Sequence, residues 1–230
     1  MSGTLYIVAT PIGNLEDLTF RAKRILSEVD MIVCEDTRVT SRLLAAYDIR
    51  KTLRSLHEHT TPAQLAALIR ELTGGKSVAY VSDAGTPGVN DPGGKMVEAA
   101  YEAGVRVEPI PGVSALTAAI SVCGFAMDDF TYLGFVPHKK GRQTFFKLVA
   151  EQKEPSVFFE STHRMLKTIE ELEKSLAPNR MVYIGRELTK MHETSYRGTV
   201  AEIHQALDAT SWKGEFVIII GPERKALPKA

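Results

Sequence analysis

The chain has 230 residues, of which 44% are hydrophobic and 24% are charged, and this is the composition of an ordinary globular protein with one large or two small cores. Its 28 Lys and Arg residues balance its 28 Asp and Glu residues. That balance excludes a general basic field for nucleic acid, so any RNA contact would need a local basic patch or a shaped site. Cys34 and Cys123 lack metal-ligand spacing, and we expect buried free thiols in a reducing, cytoplasmic compartment.

Apolar runs of strand length alternate with amphipathic runs of helix length, the pattern of an α/β protein. In the first half we predict strands at 4–9, 29–34, 52–56, 77–81 and 105–110, and helices at 18–27, 40–46, 62–72 and 95–103. A helix beginning near Ala115 follows. In the second half we predict strands at 131–135, 156–160, 181–186, 194–198 and 214–220, and helices at 142–152, 163–175 and 199–208.

This order of elements predicts two α/β domains, 1–116 and 117–230. The first should hold a mostly parallel sheet. The second should hold a mixed sheet, because the strands on either side of residues 188–193 have no helix between them and must run antiparallel.

The sequence predicts no secretory signal, because no basic segment precedes the first apolar run. Residues 109–127 contain no charged side chain and approach the length that spans a membrane. Pro111, Gly112 and Gly124 interrupt this stretch, so we expect a buried helix and no membrane contact.

The most informative segment is the loop from Tyr80 to Gly93, with three glycines, two prolines and two aspartates. It follows a predicted strand, and open α/β sheets bind small molecules at the carboxyl ends of their strands. A turn from strand to helix usually takes about two to six residues, and this loop is longer. A ligand site is therefore favoured over an ordinary turn. Ser114 is a candidate helix cap nearby, where free backbone N–H groups should face the same loop.

Two familiar motifs are absent or too weak to carry a function. Gly75-Lys76-Ser77 imitates the end of a P-loop, but Arg70 stands where the upstream glycine is required. His57 and His59 could bind a metal, but no third ligand has a convincing spacing. We predict no metal site.

Three polar segments of the second half are candidates for substrate contact. His163 and Arg164 open a helix, and the alternative explanation of this segment is structural, with Ser161 or Thr162 as the cap of that helix. The other two segments are the strand end Arg186-Glu187-Leu188-Thr189-Lys190 and the short basic loop with Lys139, Lys140 and Arg142. Each could also be an ordinary solvated turn.

Several of these blocks, in one order, resemble the tetrapyrrole methylase family of S-adenosylmethionine-dependent methyltransferases. They are the loops at 80–93 and 111–115 together with Ala9-Thr10-Pro11-Ile12-Gly13-Asn14-Leu15-Glu16-Asp17, Cys34-Glu35-Asp36-Thr37-Arg38, Leu56-His57-Glu58-His59, Phe159-Glu160-Ser161-Thr162-His163-Arg164 and Arg186-Glu187-Leu188-Thr189-Lys190. The N-terminal block, residues 9–17, is similar to one branch of the family, the 16S ribosomal RNA (cytidine-2′-O)-methyltransferases. The resemblance covers about residues 5–221, and many members of the branch continue further past the strand at 216–220.

The resemblance implies S-adenosylmethionine in a cleft between two domains, and a homodimer. It also implies methylation of a cytidine ribose in the decoding region of 16S rRNA, within the 30S subunit. The cofactor residues would be Pro11, Ile12, Asp83, Ala84, Gly85, Thr86, Val89, Ser114 and Ala115. Two alternatives remain open, a small-molecule methyltransferase of the tetrapyrrole type and a binding protein without catalysis.

The attacking hydroxyl needs a base or a charge-stabilising partner, for which Glu160, Glu187 and Lys190 are the candidates. A lysine could act as base only if its pKa were lowered. The candidates for binding RNA are Arg38, Lys139, Lys140, Arg142, His163, Arg164 and Arg186.

Overall fold

The computed structural model of the chain describes residues 2–223, which form two compact units that divide between Ser114 and Ala115. The sequence places the division after residue 116. Each unit has its own sheet and its own apolar core.

The first unit is built on a parallel sheet of five strands in the order β3-β2-β4-β1-β5. The strands are β1 Thr4–Val8, β2 Met31–Cys34, β3 Leu53–Ser55, β4 Val78–Val81 and β5 Arg106–Ile110. The helices are α1 Phe20–Glu28, α2 Thr37–Ala46, α3 Pro62–Thr73 and α4 Gly93–Glu102, and a 3-10 turn spans Leu15–Asp17.

Both faces of this sheet are buried, which explains why β2 and β4 are apolar at every position. Successive side chains of a strand point to opposite faces. Ile32 and Cys34 pack in one cluster with α1 and α2, whereas Met31 and Val33 pack in the other with α3 and α4. A parallel sheet covered by helices brings the loops that follow its strands to one edge.

The second unit contains a mixed sheet in the order β6-β7-β10-β8-β9, in which only β6 and β7 are parallel. Its strands are β6 Thr131–Phe135, β7 Ser156–Ser161, β8 Met181–Arg186, β9 Thr194–Thr199 and β10 Glu215–Ile220. Its α-helices are α5 Ala115–Cys123, α6 Arg142–Glu151, α7 Met165–Ser175 and α8 Val200–Ala209. Side chains of α6, α7 and α8 share one core with the sheet, and α5 contacts β8 and β10.

The predicted fold class is confirmed, and the largest difference between the predicted and the observed element boundaries is at the start of α2. Thr61 caps α3 with a reciprocal capping box, in which its hydroxyl accepts the N–H of Gln64 and the side chain of Gln64 accepts the N–H of Thr61. The helix α2 begins at Thr37, ahead of the predicted start, because the Asp36 carboxylate accepts the backbone N–H of Arg38. The uncharged stretch 109–127 contains the nine-residue α5, and no described helix is long and apolar enough to cross a membrane.

Candidate functional site

At the carboxyl edge of the first sheet, three loops are tied together by hydrogen bonds. The backbones of Thr10, after β1, and Gly85, after β4, exchange two N–H···O bonds of 3.0 Å each. The Thr10 hydroxyl donates to the carbonyl of Ser82 at 3.4 Å. The Thr86 hydroxyl donates to the carbonyl of Val113, after β5, at 2.9 Å. Thr10 and Ser82 were missed by sequence reasoning, since neither shows its tertiary partner in the local pattern.

Gly85 lies where these loops approach one another. Its φ is +78°, and a Cβ there would lie 3.3 Å from Cγ2 of Ile12 and 3.6 Å from the carbonyl oxygen of Val113, with Ser114 just beyond. A side chain would therefore be strained and would fill the gap between the loops. The N–H and C=O of Gly85 are taken by Thr10, so glycine contributes the space that a side chain would fill, in which a small molecule can approach the backbone of the loops closely. The residues present fit S-adenosylmethionine in this respect.

Asp91 holds the long loop between β4 and α4 in one shape. Its carboxylate accepts the backbone N–H groups of Gly88 at 2.6 Å, Val89 at 3.1 Å and Gly93 at 2.8 Å, and the hydroxyl of Tyr80 at 3.3 Å. Burial, together with the charge of Asp91, raises the pKa of Tyr80, which stays a protonated donor. Sequence reasoning did not assign Asp91 this role, although an aspartate two residues before a helical glycine is a signal of such a turn.

The same edge carries a concentration of acidic groups. The Asp83 carboxylate accepts the backbone N–H of Asp36 at 3.0 Å, which joins the loops after β4 and β2. Burial and the charges of Asp83 and Asp91 raise the pKa of Glu35. Hydrogen bonds from Arg38 lower the pKa of Asp36 to about 2. Arg38, a predicted RNA contact, is therefore already paired with the Asp36 carboxylate, 2.6 Å away. This edge favours a cation over a phosphate.

The structure brings most of the predicted cofactor residues to this one edge. Asp83 and Ala84 are exposed and Gly85 is buried beneath them, while Ala115 directly follows Ser114 and begins α5 in the second unit. The half-buried members of the set are Pro11, Ile12, Thr86, Val89, Ser114 and Ala115.

In the second unit, the three predicted substrate segments lie at one end of the mixed sheet. Ser161, at the end of β7, pairs with Glu215, at the start of β10. Arg186, at the end of β8, pairs with Phe216 and with Thr194. The basic loop follows β6, which runs parallel to β7. Strand register therefore gathers segments that are far apart in the sequence.

Glu160 does not have the environment of a catalytic base, which corrects the sequence-based hypothesis. Its side chain has no exposed surface, and Arg164 and Arg142 lie 2.8 Å and 3.5 Å from its oxygens. It also accepts the hydroxyl of Thr168 at 2.7 Å and the backbone N–H of Ser161 at 2.7 Å. A carboxylate enclosed in this way holds the fold together and has no access to a substrate hydroxyl.

Three predicted RNA-binding arginines already make hydrogen bonds within the second unit. Arg142 is 5% exposed and so is not part of an exposed basic loop. Arg164 donates to the carbonyl of Val136 at 2.6 Å and to the hydroxyl of Ser161 at 3.1 Å. Arg186 donates to backbone carbonyls of Lys213 and His192. The sequence pattern does not distinguish such structural bonds from substrate contacts.

The capping role proposed for Ser161 or Thr162 is also corrected. Neither hydroxyl caps the helix. The Ser161 hydroxyl accepts Arg164, and the Thr162 hydroxyl donates to the carbonyl of Gly214 at 2.6 Å. His163, which follows Thr162, is exposed.

Lys190 and Glu187 form an ion pair in the turn between β8 and β9. The Lys190 ammonium lies 3.0 Å from Glu187 and 2.9 Å from Glu215. Burial opposes the charge on Lys190, but these two carboxylates outweigh it and raise the pKa of the lysine. Burial also opposes the charge on Glu187, but the backbone N–H of Glu215 and the ammonium of Lys190 outweigh it and lower the pKa of Glu187. Lys190 is therefore a cation and not a base.

The backbone of this turn is strained. Glu187 and Thr189 have φ values of 51° and 65°, a region that residues with side chains seldom adopt. Leu188 between them is buried, and it packs where a side chain on Gly185 would stand. The turn is thereby fixed in one shape, with the ion pair on its surface.

Within residues 2–223, no group of three or more His, Cys, Asp or Glu side chains is arranged to hold a metal ion. The rings of His57 and His59 are 6.1 Å apart at a surface turn. The backbone N–H of His59 donates to Nδ1 of His57.

Comparison with known proteins identifies relatives over almost the whole chain. Residues 4–204 match the sequence model of the family described as Tetrapyrrole (Corrin/Porphyrin) Methylases. The chain is 44% identical over 223 residues to the ribosomal RNA small subunit methyltransferase I of Pasteurella multocida (strain Pm70), covering 96% of this chain and 79% of the relative. It is 46% identical over 220 residues to the protein of that name from Halalkalibacterium halodurans, covering 95% and 75%.

A solved structure shows the same fold at much lower identity. The uroporphyrin-III-C-methyltransferase from Thermus thermophilus superposes with a TM-score of 0.65 and 20% identity, over 95% of this chain and 94% of that one. At this identity the likeness establishes architecture alone.

Proposed function

Because this chain belongs to the tetrapyrrole methylase family, and within it to the relatives named ribosomal RNA small subunit methyltransferase I, we propose that it methylates small-subunit ribosomal RNA with S-adenosylmethionine as the methyl donor. The observation that carries this proposal is identity of 44–46% over nearly the whole chain to proteins of that name. We further propose, as the finer assignment, that the acceptor is the 2′-hydroxyl of a cytidine in the decoding region.

The carboxyl edge of the first sheet supports the choice of cofactor. When bound, S-adenosylmethionine supplies a methyl group on a positively charged sulfur, an electrophile that needs alignment more than activation. Asp83, Asp36 and Glu35 give this edge the opposite charge. Gly85 and the bridge to Thr10 fix the backbone groups that would align the cofactor.

The end of the second sheet supports an RNA substrate. With Glu160 enclosed, the candidate groups for the acceptor hydroxyl are Glu187 and Lys190. As the new C–O bond forms and the sulfur–methyl bond breaks, with S-adenosylhomocysteine as the leaving group, the acceptor hydroxyl would become strongly acidic, so a carboxylate of low pKa can still take its proton. We assign that role to Glu187. Lys190 holds Glu187 in place.

Two further proposals concern assembly and compartment. The helix α5 buries Ala119 and Cys123 but leaves Val122 exposed by 57%, and we propose that this apolar surface contributes to a two-fold homodimer. Light scattering at micromolar concentration would show a monomer if this is incorrect. Cys34 and Cys123 are both free and buried, which suits a reducing cytoplasm.

Transfer of a radiolabelled methyl group tests the proposed function. The acceptors are 30S subunits, free 16S rRNA and a porphyrinogen, each with S-adenosylmethionine. We expect label in the 30S subunit, in one nucleoside that digestion and mass spectrometry identify as 2′-O-methylcytidine. Label on a base would refute the finer assignment. Label in the porphyrinogen alone would refute the RNA assignment altogether.

A further inference from the structure

A basic pocket of about 370 Å³ opens beside the amino end of α6 in the second unit. Its walls are His138 and Lys139 of the loop after β6, the first turn of α6, and two side chains of α7, Lys167 and Glu171. Sequence reasoning missed Lys167 because it lies in the middle of an amphipathic helix. Lys140 is exposed but does not line the pocket.

The amino end of α6 offers free backbone donors to this pocket. Gly141 precedes the helix with φ +86° and has no side chain with which to cap it. The N–H of Arg142 is taken by the carbonyl of Lys139, and the N–H of Phe145 by that of Gly141. Within residues 2–223, no side-chain cap satisfies the N–H groups of Gln143 and Thr144, which both line the pocket. Uncapped N–H groups at a helix start favour an anion.

Arg142 provides a second, independent indication of an anion. Its side chain is 6% exposed, and its terminal nitrogens contact Thr168, Pro137 and Glu160. Its Nε is buried and has no hydrogen-bond partner among the described residues, although Arg142 lines the pocket. Since buried donors are nearly always satisfied, an unpaired one at a pocket indicates a missing acceptor.

The charge around the pocket is positive in sum. Beneath it, the carboxylate of Glu160 faces two guanidinium groups, Arg142 and Arg164, so one positive charge is not neutralised. At the rim, Lys139 and Lys167 outnumber Glu171. An anion with several acceptor oxygens matches this arrangement of fixed N–H donors and flanking ammonium groups.

We propose that this pocket binds one phosphodiester group of the RNA substrate, held by the backbone of Gln143 and Thr144 and by the side chains of Lys139 and Lys167. This inference rests on the proposed function, and it names the part of the RNA that the second unit holds. It also divides the basic loop, because Lys139 belongs to the site and Lys140 does not.

Binding of 30S subunits across a salt series tests the pocket. The double variant Lys139→Ala/Lys167→Ala is compared with Lys140→Ala, which removes an exposed cation of the same loop. One lost phosphate contact should make the slope of log K against log salt shallower by about 0.7–0.9 and weaken binding at low salt by about tenfold. We expect Lys140→Ala to change affinity by less than about twofold, as one solvated charge outside the site would. Equal losses in the two proteins, or an unchanged double variant, would overturn the proposal.

Inorganic phosphate separates failure of this proposal from failure of the proposed function. Titrated into the wild-type protein, it should shift the amide resonances of Gln143 and Thr144, and these shifts should vanish in the double variant. If the wild-type protein neither binds nor methylates RNA, the proposed function fails independently of this result. If phosphate leaves both amides unmoved, the pocket proposal fails. Thermal unfolding followed by the fluorescence of Trp212, which packs on the core of the second unit, should be unchanged in the variants and confirms that this unit is folded.

Discussion

Glu160→Gln is the change that best separates the structure from the sequence-based hypothesis. A catalytic base would lose activity without losing stability. The structure predicts the opposite, because Gln keeps the shape of the side chain but removes the charge that Arg142 and Arg164 face. The variant should be unstable and, at a temperature where it is folded, should still transfer methyl groups.

The expected loss of stability follows from the burial of the pair. Glu160 has no exposed side-chain surface, and its partners expose 6% and 16% of theirs. Removing one member of a buried ion pair costs about 3–5 kcal/mol, because the remaining charge is left uncompensated. The second unit has roughly 110 described residues, for which about 1 kcal/mol corresponds to about 4 °C. The midpoint of its thermal unfolding should therefore fall by about 12–20 °C.

Fluorescence can follow this unfolding in the second unit alone. Trp212 is the single tryptophan of the sequence, and it packs against the core of that unit. Glu170→Gln, on the exposed surface of α7, serves as the matched control and should leave the midpoint nearly unchanged. If Glu160→Gln unfolds within about 3 °C of the wild-type protein, or is stable but inactive, then the reasoning from burial is refuted.

Three further outcomes are expected. Gly85→Val should weaken S-adenosylmethionine binding by at least about tenfold relative to the control variant Gly88→Val. Both glycines have a positive φ, but only a side chain at Gly85 would meet neighbouring loops. Equal affinities of the two variants by calorimetry would contradict this. Lys190→Ala should lower the single-turnover methylation rate with little change in 30S binding, as expected for a group that positions Glu187; a pure loss of binding would oppose that role. The hydroxyl and N–H of Ser77 lower the pKa of Asp30 below 3.8, so the stability that Asp30 contributes is present above that pH and is lost as pH falls through the lower value. Ser77→Ala should raise that pKa towards 3.8, which carboxyl NMR titration would show.

Much of the fold could be predicted from the sequence, because local sequence patterns indicate the type of each sheet. The fully apolar runs of β2 and β4 require a sheet covered on both faces, and the strands around residues 188–193 lie too close for a crossover. Helix starts were less predictable. The helix α4 begins at Gly93, earlier than predicted, where the Asp91 carboxylate satisfies the N–H of Gly93.

The sequence could locate the candidate site, but it could not separate the structural residues there from those available to a ligand. Polar residues after strands indicate where a site lies, and the predicted cofactor loops do meet at one edge. The pattern does not tell a buried guanidinium from an exposed ammonium. Arg142 and Lys139 lie three positions apart, yet one is enclosed by Glu160 and Thr168 and the other is exposed. That difference depends on β7 and α7, which are distant in the chain.

The way Asp91 and Thr10 hold the loop between β4 and α4 has a thermodynamic consequence for binding. A flexible loop loses conformational entropy when a ligand orders it, and that loss reduces the affinity. Here three backbone N–H groups are bound by Asp91, and Gly85 is bridged to Thr10, so the loop is ordered when the chain folds. The entropy loss therefore falls on folding and not on binding. Association with the cofactor should need no prior rearrangement of this loop, and its rate should rise linearly with cofactor concentration, without the plateau that a slow opening step imposes.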